Sequence, residues 1–141
     1  MPLLNITKAA LDRLRPIEDG WYLMKIILAK VEPSKAKDSL NFIFHFELDD
    51  GRTIDGPADC LMNNKVQQMF WPAFLPLCAS VQGLTLNEYT EKYPTGQSGV
   101  DTDKWVGKKV QGLIGHEVYE GNIQIRVKGF LPPGANTETP F

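Results

Sequence analysis

Cations and rings recur close together at several places in the chain. Lys35 and Lys37 share one polar stretch, and Trp105, Lys108 and Lys109 share another. Tyr119 precedes the Glu120-Gly121-Asn122 turn, and Arg52 follows Asp50-Gly51. Lysine and arginine neutralise phosphates, and flat ring faces stack on bases, so this pairing of residue types meets the two needs of single-strand nucleic-acid contact. The candidates are Tyr22, Lys25, Lys30, Lys35, Lys37, Ile43, His45, Arg52, Trp105, Lys108, Lys109 and Tyr119. Several have an ordinary alternative. Trp21 and Trp105 also read as core, and Lys35 and Lys37 as solvated surface.

Other chemistries find little support. His45 and His116 have no Cys, Asp or Glu at metal-ligand spacing, and Cys60 and Cys78 form no CxxC pair. There is no GxxxxGK[ST] phosphate loop and no GxSxG elbow. Asp49, Asp50, Asp55 and Asp59 cluster, but Asp49-Asp50-Gly51 reads more simply as a turn. The expectation is a protein that is not an enzyme and takes no cofactor or metal.

The elements that would position the candidates follow from periodicity. Phe42, Phe44, Phe46 and Leu48 fall on alternate residues, with Asn41, Ile43, His45 and Glu47 between them. Successive side chains of a strand point to opposite faces, so this is a strand with an aromatic inner face and a mixed outer one. The Asp-Gly turn returns it as a hairpin through residues 52–55. The stretch 20–32 is a long strand that is apolar in both registers around Ile26, Ile27 and Leu28, which predicts a bulge or a coil that serves two sheets. Gly56-Pro57 predicts an edge or a bend.

From Asn63 the apolar period becomes helical: Val66, Met69, Phe70, Phe74, Leu77, Cys78 and Val81. Asn63 or Asn64 would cap this helix and Gly83 would end it, with Pro72 and Pro76 splitting or kinking it. Trp71 would pack between helix and barrel. Thr85-Leu-Asn-Glu88 has capping-box spacing for a short helix ending near Lys92. Residues 105–119 read as a glycine-broken strand. Ile123, Ile125 and Val127 alternate with Gln124, Arg126 and Lys128 in the last one. Residues 1–19 form a lead-in: either a short helix over 8–14 capped by Thr7, or an extended arm.

The order is three strands, helix, two strands. That predicts a mainly β fold, a five-stranded OB-fold Greek-key barrel with a helical insertion between strands 3 and 4. An SH3-like barrel is the nearest rival. The domain would span 20–131, with residues 132–141 as a tail. Gly20-Trp21-Tyr22, Asp50-Gly51-Arg52, Trp105-Val106-Gly107-Lys108-Lys109-Val110 and Phe130-Leu131-Pro132 together resemble a group of phage-encoded OB-fold proteins, the small single-stranded DNA-binding proteins of replication and recombination modules. The likeness covers roughly residues 16–133. It implies single-stranded DNA as the partner, bound without strong sequence preference. The end, Glu138-Thr139-Pro140-Phe141, is similar to that of bacterial single-stranded DNA-binding proteins, which close on an acidic stretch and Ile-Pro-Phe. Here the isoleucine is a threonine and one acid precedes it. The resemblance implies docking of Pro140 and Phe141 on replication or repair proteins.

A length of 141 residues allows one domain with a real core and no staples. A net charge of −2 supplies no global field toward nucleic acid, so any attraction must be local. That balance favours the competing reading, a protein–protein adaptor or virion protein built on the same barrel. The start lacks the charged-then-apolar order of a secretion signal, and no apolar run reaches membrane-span length. The expected location is the cytoplasm, of the host if viral, with both cysteines as buried thiols. Edge strands of such barrels pair between subunits, which makes a homodimer possible.

Overall fold

A computed structural model describes residues 16–56 and 59–136. The fold is mainly β, a curled antiparallel sheet that forms a half-barrel and carries two helices. The strands are β1 (Gly20–Pro33), β2 (Leu40–Leu48), β3 (Thr53–Ile54), β4 (Leu61–Asn63), β5 (Lys109–Tyr119) and β6 (Asn122–Leu131). Helices α1 (Gln67–Val81) and α2 (Leu86–Lys92) follow β4, and a 3₁₀ turn (Thr102–Trp105) leads into β5. The sheet order is β3-β2-β1-β5-β6, with β4 also on β2. Among the described residues no single helix is long and apolar enough to cross a membrane.

Local departures shape the β1–β4 part of the sheet. In β1, Ile26 lies opposite Phe46 but Leu28 lies opposite His45, so Ile27 is the extra residue of a bulge. The bulge resolves the double apolar register: Met24 and Ile26 face inward before it, Ala29 after it, and all three are buried. The predicted return strand is two short strands, not one. β3 pairs with the end of β2 and β4 with its start. Gly56 and Pro57 fall in the gap between them. Cys60 O still accepts from Phe44 N at 3.2 Å, which stitches the gap to β2. Across the open side of the sheet, Val127 N of β6 donates to Asp59 O at 3.2 Å.

The inward phenylalanines make the core. Phe44 and Phe46 are buried, and Phe42 packs on Phe70 and Phe74 of α1 with ring centroids 5.0 and 5.2 Å apart. α1 is one helix through both prolines, so they do not split it into two pieces. The carbonyls that Pro72 and Pro76 leave without a helical donor belong to Gln68 and Pro72, both exposed residues, so water can satisfy them. Asn63 and Asn64 do not cap it. Val66 is the N-cap, without a side-chain bond. The Asn side chains are engaged nearby: Asn64 Oδ1 accepts from Leu40 N at 2.8 Å, and Asn63 donates to Asn41 Oδ1 at 2.8 Å. Gly83 adopts a positive φ just past the helix. α2 starts on the expected capping box. Glu88 N donates to Thr85 Oγ1 at 3.2 Å, and Thr85 N to Glu88 Oε1 at 3.0 Å. The predicted lead-in helix over 8–14 and the tail beyond Asn136 lie outside the described residues.

Candidate nucleic-acid interface

The bulge decides which lysines share a face. Odd residues of β1 point outward before Ile27 and even ones after it, so Lys25 and Lys30 stand on the same outer face despite their opposite parity. Lys30 lies opposite Ile43 of β2, which lies opposite Leu61 of β4. Leu28 lies opposite His45, and Lys25 lies between Glu47 and Lys109. Lys35 and Lys37 occupy the exposed β1–β2 loop at one end of this face, and Lys108 and Lys109 are exposed at the other. From Lys25 to Lys30 the strand runs about 15 Å.

The track is not purely basic. Lys25 pairs with Glu47 at 3.6 Å, and Lys30 with Glu32 at 3.5 Å, all four side chains about half exposed. Such surface pairs contribute little and open readily. Lys35, Lys37, Lys104, Lys108 and Lys109 make no ion pair among the described residues. Lys25 and Lys109 face each other directly across the β1–β5 pair, and Glu47 on the other side of Lys25 offsets part of their repulsion. Beside the loop, Lys65 reaches Asp38 at 2.6 Å. Its hydrogen bond, followed by that of Ser34, holds the Asp38 carboxyl below the usual range, and Lys65 is raised in return.

Several candidates lie elsewhere. Trp105 is 6% exposed and stacks between Phe44 and Phe74, at 5.8 and 5.7 Å. A ring so buried cannot take a base, so Trp105 is core. Tyr22 shares the inner parity of Met24, is half-buried against the core, and donates to Glu18 O at 2.8 Å. Arg52 is drawn into the β2–β3 turn: Nε donates to Asp50 Oδ2 at 2.7 Å and a terminal nitrogen donates to Pro16 O at 3.1 Å. Its guanidinium anchors the chain entering β1 and is off the lysine track. Tyr119 is 58% exposed near the tip of the β5–β6 arm, whose turn Glu120-Gly121 has positive φ at both residues. Pro140 and Phe141 lie outside the described residues.

Other surface residues were hidden from the sequence. Leu28 and Leu61 share the outer face with Ile43 and His45, but finding them required the bulge position and the short β4. Lys104 lines a cleft of about 490 Å³ with Lys108, Gln82 and Gln97. Its place in a 3₁₀ turn capped by Asp101 leaves no periodic signal. Trp71, expected between helix and barrel, is 44% exposed and touches Phe70 and Phe74 edge-on. Met69 beside it, and Val118 and Ile123 on the arm, are each 74% exposed.

The outer face can therefore supply spaced ammonium groups, one imidazole and an apolar floor of Leu28, Ile43 and Leu61. Aromatic stacking on it would come from His45 at its centre and from Tyr119 on the arm. Cys60 and Cys78 take no part: burial pushes each thiol up to about 12, which leaves negligible thiolate at neutral pH. Among the described residues no group of three or more His, Cys, Asp or Glu side chains is placed to hold a metal ion. No protein-family model matches the chain, and no curated protein matches it.

Proposed function

We propose that this protein binds single-stranded DNA across the outer face of β1, β2 and β4, without strong sequence preference, as a non-enzymatic member of a phage-type replication or recombination module. The observation that carries the reading is the alignment of Lys25 and Lys30 by the Ile27 bulge, continued by Lys35 and Lys37 at one end and Lys108 and Lys109 at the other. If β3 and β4 count as two halves of one third strand, the chain reads as a five-stranded OB-fold barrel. The helices then fall between strands 3 and 4, and Val127 N to Asp59 O marks the closing seam. In that frame the lysine track occupies the surface where OB-folds hold oligonucleotides.

The setting follows from the reading: the cytoplasm of a host cell, with Pro140 and Phe141 docking on replication or repair proteins. Among the described residues the outer edge of β6 over 122–126 has no strand neighbour, which offers a second copy a place to pair. Fluorescence anisotropy with labelled oligo-dT tests the face. Replacing Lys30, Lys35 and Lys37 together by Ala should weaken binding at least tenfold, and Tyr119→Ala should weaken it by less. An unchanged affinity in the triple variant would refute this placement.

The second reading, a protein–protein adaptor or virion component, rests on α1. The helix carries no charged residue, yet Met69, Trp71, Pro72 and Ala73 are exposed. An uncharged apolar helix face is a docking surface in kind. Retained partner capture by a sample that binds no oligonucleotide would favour it.

A further inference from the structure

The lysine track ends at a cleft. β5 starts at Lys109, which lies opposite Lys25 on the outer face. One residue earlier the ladder still holds. Ile26 N donates to Lys108 O at 2.9 Å, and Gly107 N donates to Ile26 O at 2.8 Å. Ile26 is fully buried under the sheet, so Lys108, across from it, stands on the inner side at the sheet's rim. There it lines a cleft of about 490 Å³ together with Lys104. Lys109, Lys108 and Lys104 thus lead from the outer face over the end of the sheet into the cleft. A single strand that follows the track enters the cleft by turning over that end.

The lining combines groups that suit the two halves of a nucleotide. Lys104 and Lys108 are exposed and make no ion pair among the described residues. The carboxylate in the lining is that of Asp101, whose Oδ1 accepts from Asp103 N at 3.1 Å as the cap of the 3₁₀ turn. The lining therefore sets two ammonium groups against one carboxylate. Gln82, just past α1, and Gln97 supply neutral polar groups. Gln82 Nε2 donates to Gln97 Oε1 at 2.8 Å, and Tyr89 OH donates to the same oxygen at 3.0 Å. Tyr93 OH donates to Gln82 Oε1 at 3.1 Å. These bonds fix both carboxamides and leave Gln97 Nε2 as a donor without a protein acceptor among the described residues. Val81 and Val100 add apolar surface, and the volume lies in the range of small-ligand pockets. Ammonium groups suit a phosphate, and an amide donor suits a carbonyl on a base edge.

We infer that this cleft takes the terminal nucleotide of a single strand, with a terminal phosphate between Lys104 and Lys108 and the base against Gln97. The inference rests on the outer-face reading, because the strand arrives along the track. A terminal phosphomonoester carries nearly two negative charges at neutral pH, and an internal phosphodiester carries one. Two lysines without carboxylate partners therefore favour a phosphorylated end over an internal linkage. The protein would settle at such ends ahead of internal positions.

The test is anisotropy with an internally labelled oligo-dT in three forms: both ends hydroxyl, 5′-phosphate, and 3′-phosphate. A phosphate at one of the two ends should tighten binding about fivefold, the scale of two exposed charge pairs. Lys104→Ala, which lies off the track, should abolish that gain and keep the affinity for the hydroxyl-ended form within about twofold. Lys104→Arg keeps the charge and should keep the gain. Gln97→Leu, which removes the amide donor, should reduce it. Equal affinity for all three forms in the wild-type protein would overturn the inference and leave the outer-face reading standing. A gain that survives in both Lys104→Ala and Gln97→Leu would also overturn it, since the phosphate would then be held elsewhere. No binding of any form would remove the outer-face reading and this inference with it. Thymidine monophosphate alone should bind far more weakly than the phosphate-ended oligonucleotide. Equal affinity for it would mean that the cleft serves a free nucleotide, which would refute a strand end as the occupant.

Discussion

A methyl group at Gly112 would lie 2.1 Å from Met24 Cε, and Met24 is fully buried under the sheet. The methionine end is flexible, but the packed core leaves it nowhere to turn. Gly112→Ala should therefore lower stability by about 1–3 kcal/mol, the usual cost of overpacking, as read by denaturant titration. Trp105 gives a sharper contrast between core and surface roles. Trp105→Ala should lower stability by about 3–5 kcal/mol through the cavity left between Phe44 and Phe74. Trp105→Phe should keep oligo-dT affinity within about twofold, the outcome for a ring that touches no base. A large loss of affinity in a stably folded Trp105→Phe would put the ring back at the interface. The sequence could not choose between these roles for Trp105. It sits at a turn, where no alternation assigns a face, and its burial depends on Phe44 and Phe74 from distant elements. Lys25 and Lys30 were equally undecided, because one extra residue at Ile27 inverts every side chain beyond it.

At the scale of elements, legibility follows how local the cause is. The β2 alternation, the Asp-Gly turn and the Thr85 capping box are set by neighbours within a few residues, and each stands where the spacing puts it. The continuity of α1 through two prolines is not local. It rests on Phe70, Phe74, Leu77 and Cys78 packing on the sheet, while the orphaned carbonyls belong to exposed residues. The division of the third strand into β3 and β4 depends on which half of β2 each can reach. The capping box carries its own prediction. Bonds from the Thr85 backbone and hydroxyl hold the Glu88 carboxyl below its ordinary value. A carboxyl whose pKa is lower folded than unfolded contributes stability above the unfolded value, near 4.3, and loses it as pH falls through the folded value. Thr85→Ala should cost about 0.5–2 kcal/mol at neutral pH, and Glu88→Gln, which removes the titrating carboxyl, should reduce the acid slope of stability, measured by thermal melts from pH 7 down to about 3. An unchanged slope would mean the box is not formed in solution.

The whole molecule is slightly acidic, so its field does not draw nucleic acid from a distance. The account places attraction in one track of lysines on the outer face of a curled sheet, with the uncharged helix face on the other side. Attraction of that kind acts at contact and is screened by salt. Each phosphate neutralised on a single strand contributes about −0.7 to the slope of log K against log salt, so contacts by four to six lysines predict a slope of about −3 to −4. The measurement that tests this most directly is anisotropy of labelled oligo-dT and a matched duplex over a salt series, with a folded full-length sample. The account predicts tight binding to oligo-dT at low salt, a slope of that size, and little binding to duplex. Equal binding to both, a flat salt response, or no binding at low salt would contradict it.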